Sequence, residues 1–142
     1  NFFGGGDLNW RRIVPATMRA IFLGEKLRVP SASAAIRDCF YVEDAALAYM
    51  MLAEKMSDKS IHGQAFNFGA GMPTTVLDLA LRIIEIAKSD VVPDIAHIKA
   101  KAPLPSPLDM RKAENILGWS PSWTLEAGIS KTLDWYRDFF QK

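Results

Sequence analysis

Asn1-Phe2-Phe3-Gly4-Gly5-Gly6-Asp7 and Gln64-Ala65-Phe66-Asn67-Phe68-Gly69-Ala70-Gly71 are the stretches that decide the fold. Each is a short apolar run leading at once into glycine, as when a strand hands over to the turn that precedes a helix in a parallel sheet. Asn1 to Gly4 is the expected end of one such strand and Ala65 to Phe68 the second. Leu27-Arg28-Val29 alternates like a third, short strand; Arg37 to Val42 is another extended piece, and Asp94 to Lys99 a further one. Helices fill the rest. Arg11 to Leu23 carries Ile13, Val14, Met18, Ile21 and Phe22 on one side and ends at Gly24, with Asn9 as its cap and Pro15 tolerable in the first turn. Val42, Ala46, Tyr49, Ala53 and Met56 recur at helical spacing and predict a helix of about three turns with those residues as its apolar face. Thr75 with Asp78 three positions on forms a capping-box pattern for a helix reaching Lys88. Val76, Ala80, Ile83 and Ala87, flanked by Leu77, Leu81 and Ile84, give that helix so wide an apolar face that deep burial follows. Asp109 caps a short helix that Gly118 stops, and Thr124 caps a last one lined by Leu125, Ile129, Leu133, Tyr136 and Phe140. Ser31 to Ala35, Ser57 to Gly63 and the proline-rich Lys101 to Leu108 are loops. The fold class is α/β. Two strands that lead through glycine into helices do not make a sheet, so its other strands are expected outside this chain.

The chain has 142 residues, 49% of them hydrophobic and 23% charged, which suits a single globular domain. A net charge of +1 with both signs dispersed offers no basic stripe, so nucleic acid is not an expected partner. The single Cys39 cannot form an internal disulfide and sits in an apolar stretch, as a buried inert thiol in a reducing compartment would. No apolar run approaches the roughly 18 residues that span a bilayer. The start carries Asp7 rather than the basic flank of a signal peptide, and a cytoplasmic protein is expected. His62 and His97 are isolated, which argues against a metal site.

Arg37-Asp38-Cys39-Phe40-Tyr41-Val42-Glu43-Asp44 resembles the Arg-Asp-aromatic-x-Tyr/His-Val-x-Asp motif of the extended short-chain dehydrogenase/reductases that act on nucleotide sugars, the NAD-dependent 4-epimerases and 4,6-dehydratases. Cys39 stands where an aromatic is usual. Gln64 to Gly69 follows in the family's order. Asp109-Met110-Arg111-Lys112-Ala113 with Leu117-Gly118-Trp119 resembles a later signature, with Arg111 for serine, and Thr124 to Gly128 resembles the start of the final helix. Gly4 to Asp7 and Arg12-Ile13-Val14-Pro15 look most like the CDP-glucose 4,6-dehydratases, whereas Arg37 to Asp44 looks more like the dTDP-glucose dehydratases and the epimerases. The resemblance covers nearly the whole chain and is to the carboxy-terminal half of these enzymes. It implies a small mixed α/β substrate-binding domain, residues 1–142, with two strands like the last ones of a Rossmann sheet.

By that resemblance Arg37, Arg12 and Asn1 contact the diphosphate of a CDP-, UDP- or dTDP-linked sugar, with Phe3 replacing the common tyrosine after the asparagine. Leu27 and Val29 hold the base by main-chain hydrogen bonds and apolar contact. Each has a plainer reading: Arg37 paired with Asp38 or Asp44, Arg12 a solvated surface arginine, Asn1 turn chemistry, Leu27 and Val29 packed in a small core. The substrate contact that relatives make before the penultimate helix would here fall to Lys99 or the proline-rich run. Trp119 and Trp123 are expected as core anchors. The intact enzymes need NAD, held at a glycine-rich turn and served by a Tyr-x-x-x-Lys pair. Gly4-Gly5-Gly6 lacks the dinucleotide spacing, and Tyr41, Tyr49 and Tyr136 precede Ala45, Ala53 and Phe140 rather than lysine. No cofactor bound by this chain and no turnover by it alone are therefore expected, together with a homo-oligomer joined through the two strands and the helix Thr75 to Lys88. The alternative is a non-catalytic, self-associating interaction module.

Overall fold

The computed structural model describes residues 1–30, 36–96 and 108–142. The expected loops at 31–35 and 101–107, together with His97 and Lys99, lie outside the described residues. The elements in chain order are β1 (Phe2–Phe3), α1 (Ile13–Leu23), β2 (Arg28–Pro30), β3 (Ile36–Asp38), β4 (Phe40–Tyr41), α2 (Val42–Glu54), β5 (Pro73–Thr75), α3 (Val76–Ile86), β6 (Asp94–Ala96), α4 (Arg111–Leu117) and α5 (Leu125–Phe140). The strands pair in twos: β1 with β4 and β2 with β6 in parallel, β3 with β5 antiparallel. This is a small α/β domain.

Helix boundaries follow local chemistry. Gly24 and Gly118 close α1 and α4 in the left-handed conformation that glycine adopts without a Cβ penalty. Thr75 and Thr124 cap α3 and α5, accepting from the amides of Asp78 at 3.0 Å and Ala127 at 3.2 Å. Pro15 sits in the first turn of α1, where it displaces no helical hydrogen bond. Asn9 caps the approach rather than the helix: its side chain accepts from the Arg11 amide, and Arg12 takes the cap position without a side-chain bond. Asp109 lies one residue before the cap of α4 and accepts from the Arg111 amide at 3.1 Å. Its bidentate pairing with the Arg111 guanidinium holds its carboxyl down at about 2.

The core gathers Phe3, Val14, Met18 and Tyr41 with Leu79 and Ile83 of α3 and Ile129, Leu133 and Tyr136 of α5. A second cluster sets Phe40, Ala45 and Ala48 against Leu117 and Trp119, and a third joins Ala20, Leu27, Val29, Ala80 and Ile84. Gly4 and Gly5 are required by close approach: a Cβ on Gly4 would strike Val42, and one on Gly5 would enter the Trp135 ring. Only Gly6 of the three has a positive φ, so the turn itself depends on one glycine.

Three expectations need correction. Ala46, Tyr49 and Ala53 of α2 face solvent, Met56 lies exposed beyond the end of the helix, and Asp44, Ala45 and Ala48 face inward. The helix phase is set by Asp44, whose fully buried carboxylate accepts from the Ser122 amide at 2.9 Å, the Ser122 hydroxyl at 2.6 Å and the Trp123 amide at 3.2 Å. A periodic count of apolar residues does not anticipate a buried aspartate. Ala65 to Phe68 shows strand-like alternation, Ala65 and Asn67 exposed and Phe66 and Phe68 half-buried, yet carries no ladder among the described residues. The polar groups at this segment engage the start of α4 instead: Lys112 donates to the Ala65 carbonyl at 3.0 Å and Asn67 to that of Asp109 at 3.2 Å. Finally, α3 buries Leu79, Ala80, Ile83 and Ile84, whereas Leu81, expected to flank the buried face, is 45% exposed. Leu79 is the buried residue the periodic reading missed.

Candidate functional site

One open cleft of about 470 Å³ lies where β1, β2, β3 and the first turns of α1 and α3 converge. It is lined by Asn1, Arg12 and Arg37, joined by Arg11, Arg28 and Asp7, over an apolar floor that includes Ile13, Val14, Cys39, Val76 and Leu79. Four guanidinium groups thus face one carboxylate in a chain whose net charge is only +1. Such a concentration lowers the energy of a bound polyanion.

Local folding places each of them. The main chain at Asn1 extends the β1–β4 pairing, its carbonyl accepting from the Phe40 amide at 3.1 Å, so Asn1 stands at the cleft edge with its side chain exposed. Arg12 precedes α1 and pairs with Asp7 at 3.1 Å. Asp7 is itself tied to α5, because the Tyr136 hydroxyl donates to its carbonyl. Burial, and then the Asp7 charge, pushes the Tyr136 phenol up to about 12, so it stays a donor across the physiological range. Arg37 projects from β3 and donates to its neighbour's carbonyl, Ile36, at 2.8 Å. The two carboxylates that could have claimed Arg37 are engaged elsewhere. Asp38 accepts from the amides of Ala70 at 2.7 Å and Gly71 at 3.1 Å, and Asp44 holds Ser122 and Trp123. Those bonds also fix the loop of Gly69, whose Cα approaches Asp38 so closely that a Cβ would sit 2.6 Å from a carboxylate oxygen.

Asn1, Arg12 and Arg37 are therefore brought together. Leu27 and Val29 are not among the cleft residues: their side chains are buried in the third core cluster, and the Leu27 carbonyl accepts from the Asp94 amide at 2.8 Å. Sequence reading passed over Arg28, the residue between them, although buried–exposed–buried alternation was the available signal. It also passed over Arg11 and Asp7. Burial pushes the Cys39 thiol above its ordinary range, with Asp38 adding to the shift, so at neutral pH it is a protonated, weakly nucleophilic part of the floor. Trp119 is a core anchor, donating from its indole to the Asp44 carbonyl at 3.1 Å, and Trp123 packs on Tyr41.

No family model matches the chain. Its sequence is 28% identical over 135 residues to dTDP-glucose 4,6-dehydratase 1 of Escherichia coli, covering 88% of this chain and 36% of that protein. It is 25% identical over 126 residues to the UDP-glucose 4-epimerase of Mycolicibacterium smegmatis, covering 89% and 39%. The fold superposes on the UDP-glucose 4-epimerase of Thermotoga maritima, solved with UDP-glucose, with a TM-score of 0.82 and 26% identity over 99% of this chain and 44% of that one. The chain matches the carboxy-terminal part of nucleotide-sugar 4,6-dehydratases and 4-epimerases. The Bordetella bronchiseptica enzyme WbmF, solved with NAD+ and UDP, is a further neighbour in this epimerase/dehydratase group, with a TM-score of 0.78 and 25% identity over 99% and 44% of the two chains. The chain spans well under half the length of these epimerases and dehydratases.

The WbmF neighbour holds NAD+. The Tyr-x-x-x-Lys pair is not in the sequence.

Proposed function

We propose that this chain is the nucleotide-sugar binding part of an NAD-dependent 4,6-dehydratase or 4-epimerase. In this reading Arg37 and Arg12 pair with the diphosphate of a CDP-, UDP- or dTDP-linked sugar. Asn1 hydrogen-bonds the phosphate or sugar, and the main chain around Leu27 and Val29 lies along the base. The observation that carries it is the convergence of Asn1, Arg12 and Arg37, from three separate elements, on one cleft with an apolar floor. Guanidinium forks suit phosphate oxygens, and an apolar floor suits a nucleoside. Hydride transfer to NAD would depend on residues beyond this sequence, so the chain alone does not turn over. Titration with the three nucleotide sugars tests the reading, and an absence of binding to all of them overturns it.

A second reading, a self-associating interaction module, is favoured by a different observation. An apolar groove of about 400 Å³ opens between Phe2, Phe40, Tyr49, Leu52, Phe66 and Phe68. Phe2 is 53% and Tyr49 73% exposed. Exposed apolar surface of this kind is characteristic of an interface. Among the described residues, no helix is long and apolar enough to cross a membrane.

A further inference from the structure

Arg28 lies in β2 between two side chains committed to the core, Leu27 at 2% and Val29 at 0% exposure. Strand alternation sends its own side chain to the opposite face, where it lines the cleft with Arg12 and Arg37. Its backbone is fixed by the parallel register with β6, in which Arg28 stands opposite Asp94. Its head is barely engaged: the one ion pair among the described residues is a long 3.7 Å contact with Asp94, and the side chain is 79% exposed. A planar fork on a rigid strand beside an apolar floor is suited to reading the edge of a flat, polar ring. With Arg12 paired to Asp7, Arg11 and Arg37 already match the two charges of a sugar-linked diphosphate.

We infer that Arg28 is a specificity-determining residue. Its two parallel N–H groups select a nucleoside whose base presents two adjacent acceptors on one edge, and disfavour bases that do not. Cytosine offers N3 and O2, and guanine offers O6 and N7; uracil and thymine interpose an N–H donor between their two carbonyls, so only one bond of the fork can form. The assignment rests on the nucleotide-sugar reading of the cleft and narrows it to cytidine or guanosine diphosphate ligands.

Calorimetric titration of the full chain with CDP, GDP, UDP, dTDP and inorganic pyrophosphate, on the wild type and on Arg28→Ala, Arg28→Lys and Arg37→Ala, tests it. CDP or GDP is expected to bind about 10-fold more tightly than UDP and dTDP, and the CDP and GDP arms identify which base is read. Both Arg28 variants are expected to bring that ratio close to one, since lysine keeps the charge and loses the fork. Arg37→Ala is expected to weaken all five ligands, pyrophosphate included. Equal wild-type binding of the four nucleotides, a preference for UDP or dTDP, or a ratio that survives in either Arg28 variant overturns the inference while leaving the nucleotide-sugar reading intact. Failure of the wild type to bind any of the five overturns both. Because Arg28 is exposed, thermal unfolding of its variants should match the wild type, which separates a lost contact from a lost fold.

Discussion

Arg37 is the residue on which ligand affinity should depend most. Its guanidinium is exposed and hydrogen-bonded only to the Ile36 carbonyl among the described residues, so Arg37→Ala should leave stability nearly unchanged. The same substitution should cost about 1.5–3 kcal/mol of nucleotide-sugar binding, the worth of a charge-assisted fork. Calorimetry beside a thermal melt checks both halves, and a large drop in melting temperature would make the arginine a structural partner after all. Gly4 is the opposite kind of residue. A methyl group there meets Val42, so Gly4→Ala should destabilise by about 1–3 kcal/mol in urea denaturation, through overpacking rather than backbone strain. Tyr136 contributes a pH-dependent part of the stability. Its folded pKa of about 12 lies above the ordinary value near 10. Its contribution is therefore fully present below about pH 10 and is lost as pH rises through about 12. Tyr136→Phe should lose the bond to Asp7 at neutral pH and show a shallower loss of stability over that alkaline window, measured by chemical denaturation at stepped pH.

At the scale of elements, capping and glycine stops were legible because they depend on residues adjacent in sequence. Thr75, Thr124, Gly24 and Gly118 act where local chemistry puts them. The phase of α2 was not legible. It depends on Asp44 reaching Ser122 and Trp123, more than seventy positions away, and a buried carboxylate satisfied by three donors overrides the apolar periodicity. Asp44→Ala should strand those donors and detach the α4–α5 connection from α2, at a cost of roughly 2–4 kcal/mol. Asp44→Asn, which keeps acceptor oxygen on one side only, should cost less. Equal stability of wild type and Asp44→Ala would contradict this account of the helix phase. The site was legible to a similar extent. Asn1, Arg12 and Arg37 were readable from motif resemblance, while Arg28 and Asp7 enter the cleft only through tertiary placement of β2 and of the loop that Tyr136 ties to α5.

For the whole molecule, the chain is a self-consistent α/β unit that matches only 36–44% of the length of its relatives. Exposed apolar surface gathers in the groove of Phe2, Tyr49 and Phe66 over the buried Phe40. As an isolated polypeptide it should self-associate there. Light scattering at micromolar concentration should report a dimer or larger, and Tyr49→Glu should shift it toward monomer; a monodisperse wild-type monomer would contradict this. The central claim is that the arginine-lined cleft binds nucleotide sugars without NAD. Amide chemical-shift mapping during titration with CDP-glucose, UDP-glucose, dTDP-glucose and NAD tests it most directly. The predicted result is perturbation confined to the residues around Arg12, Arg28 and Arg37 by at least one nucleotide sugar. High micromolar to millimolar affinity is expected, roughly −4 to −6 kcal/mol, with silence toward NAD. Silence toward all three sugars, or shifts produced by NAD, would contradict it.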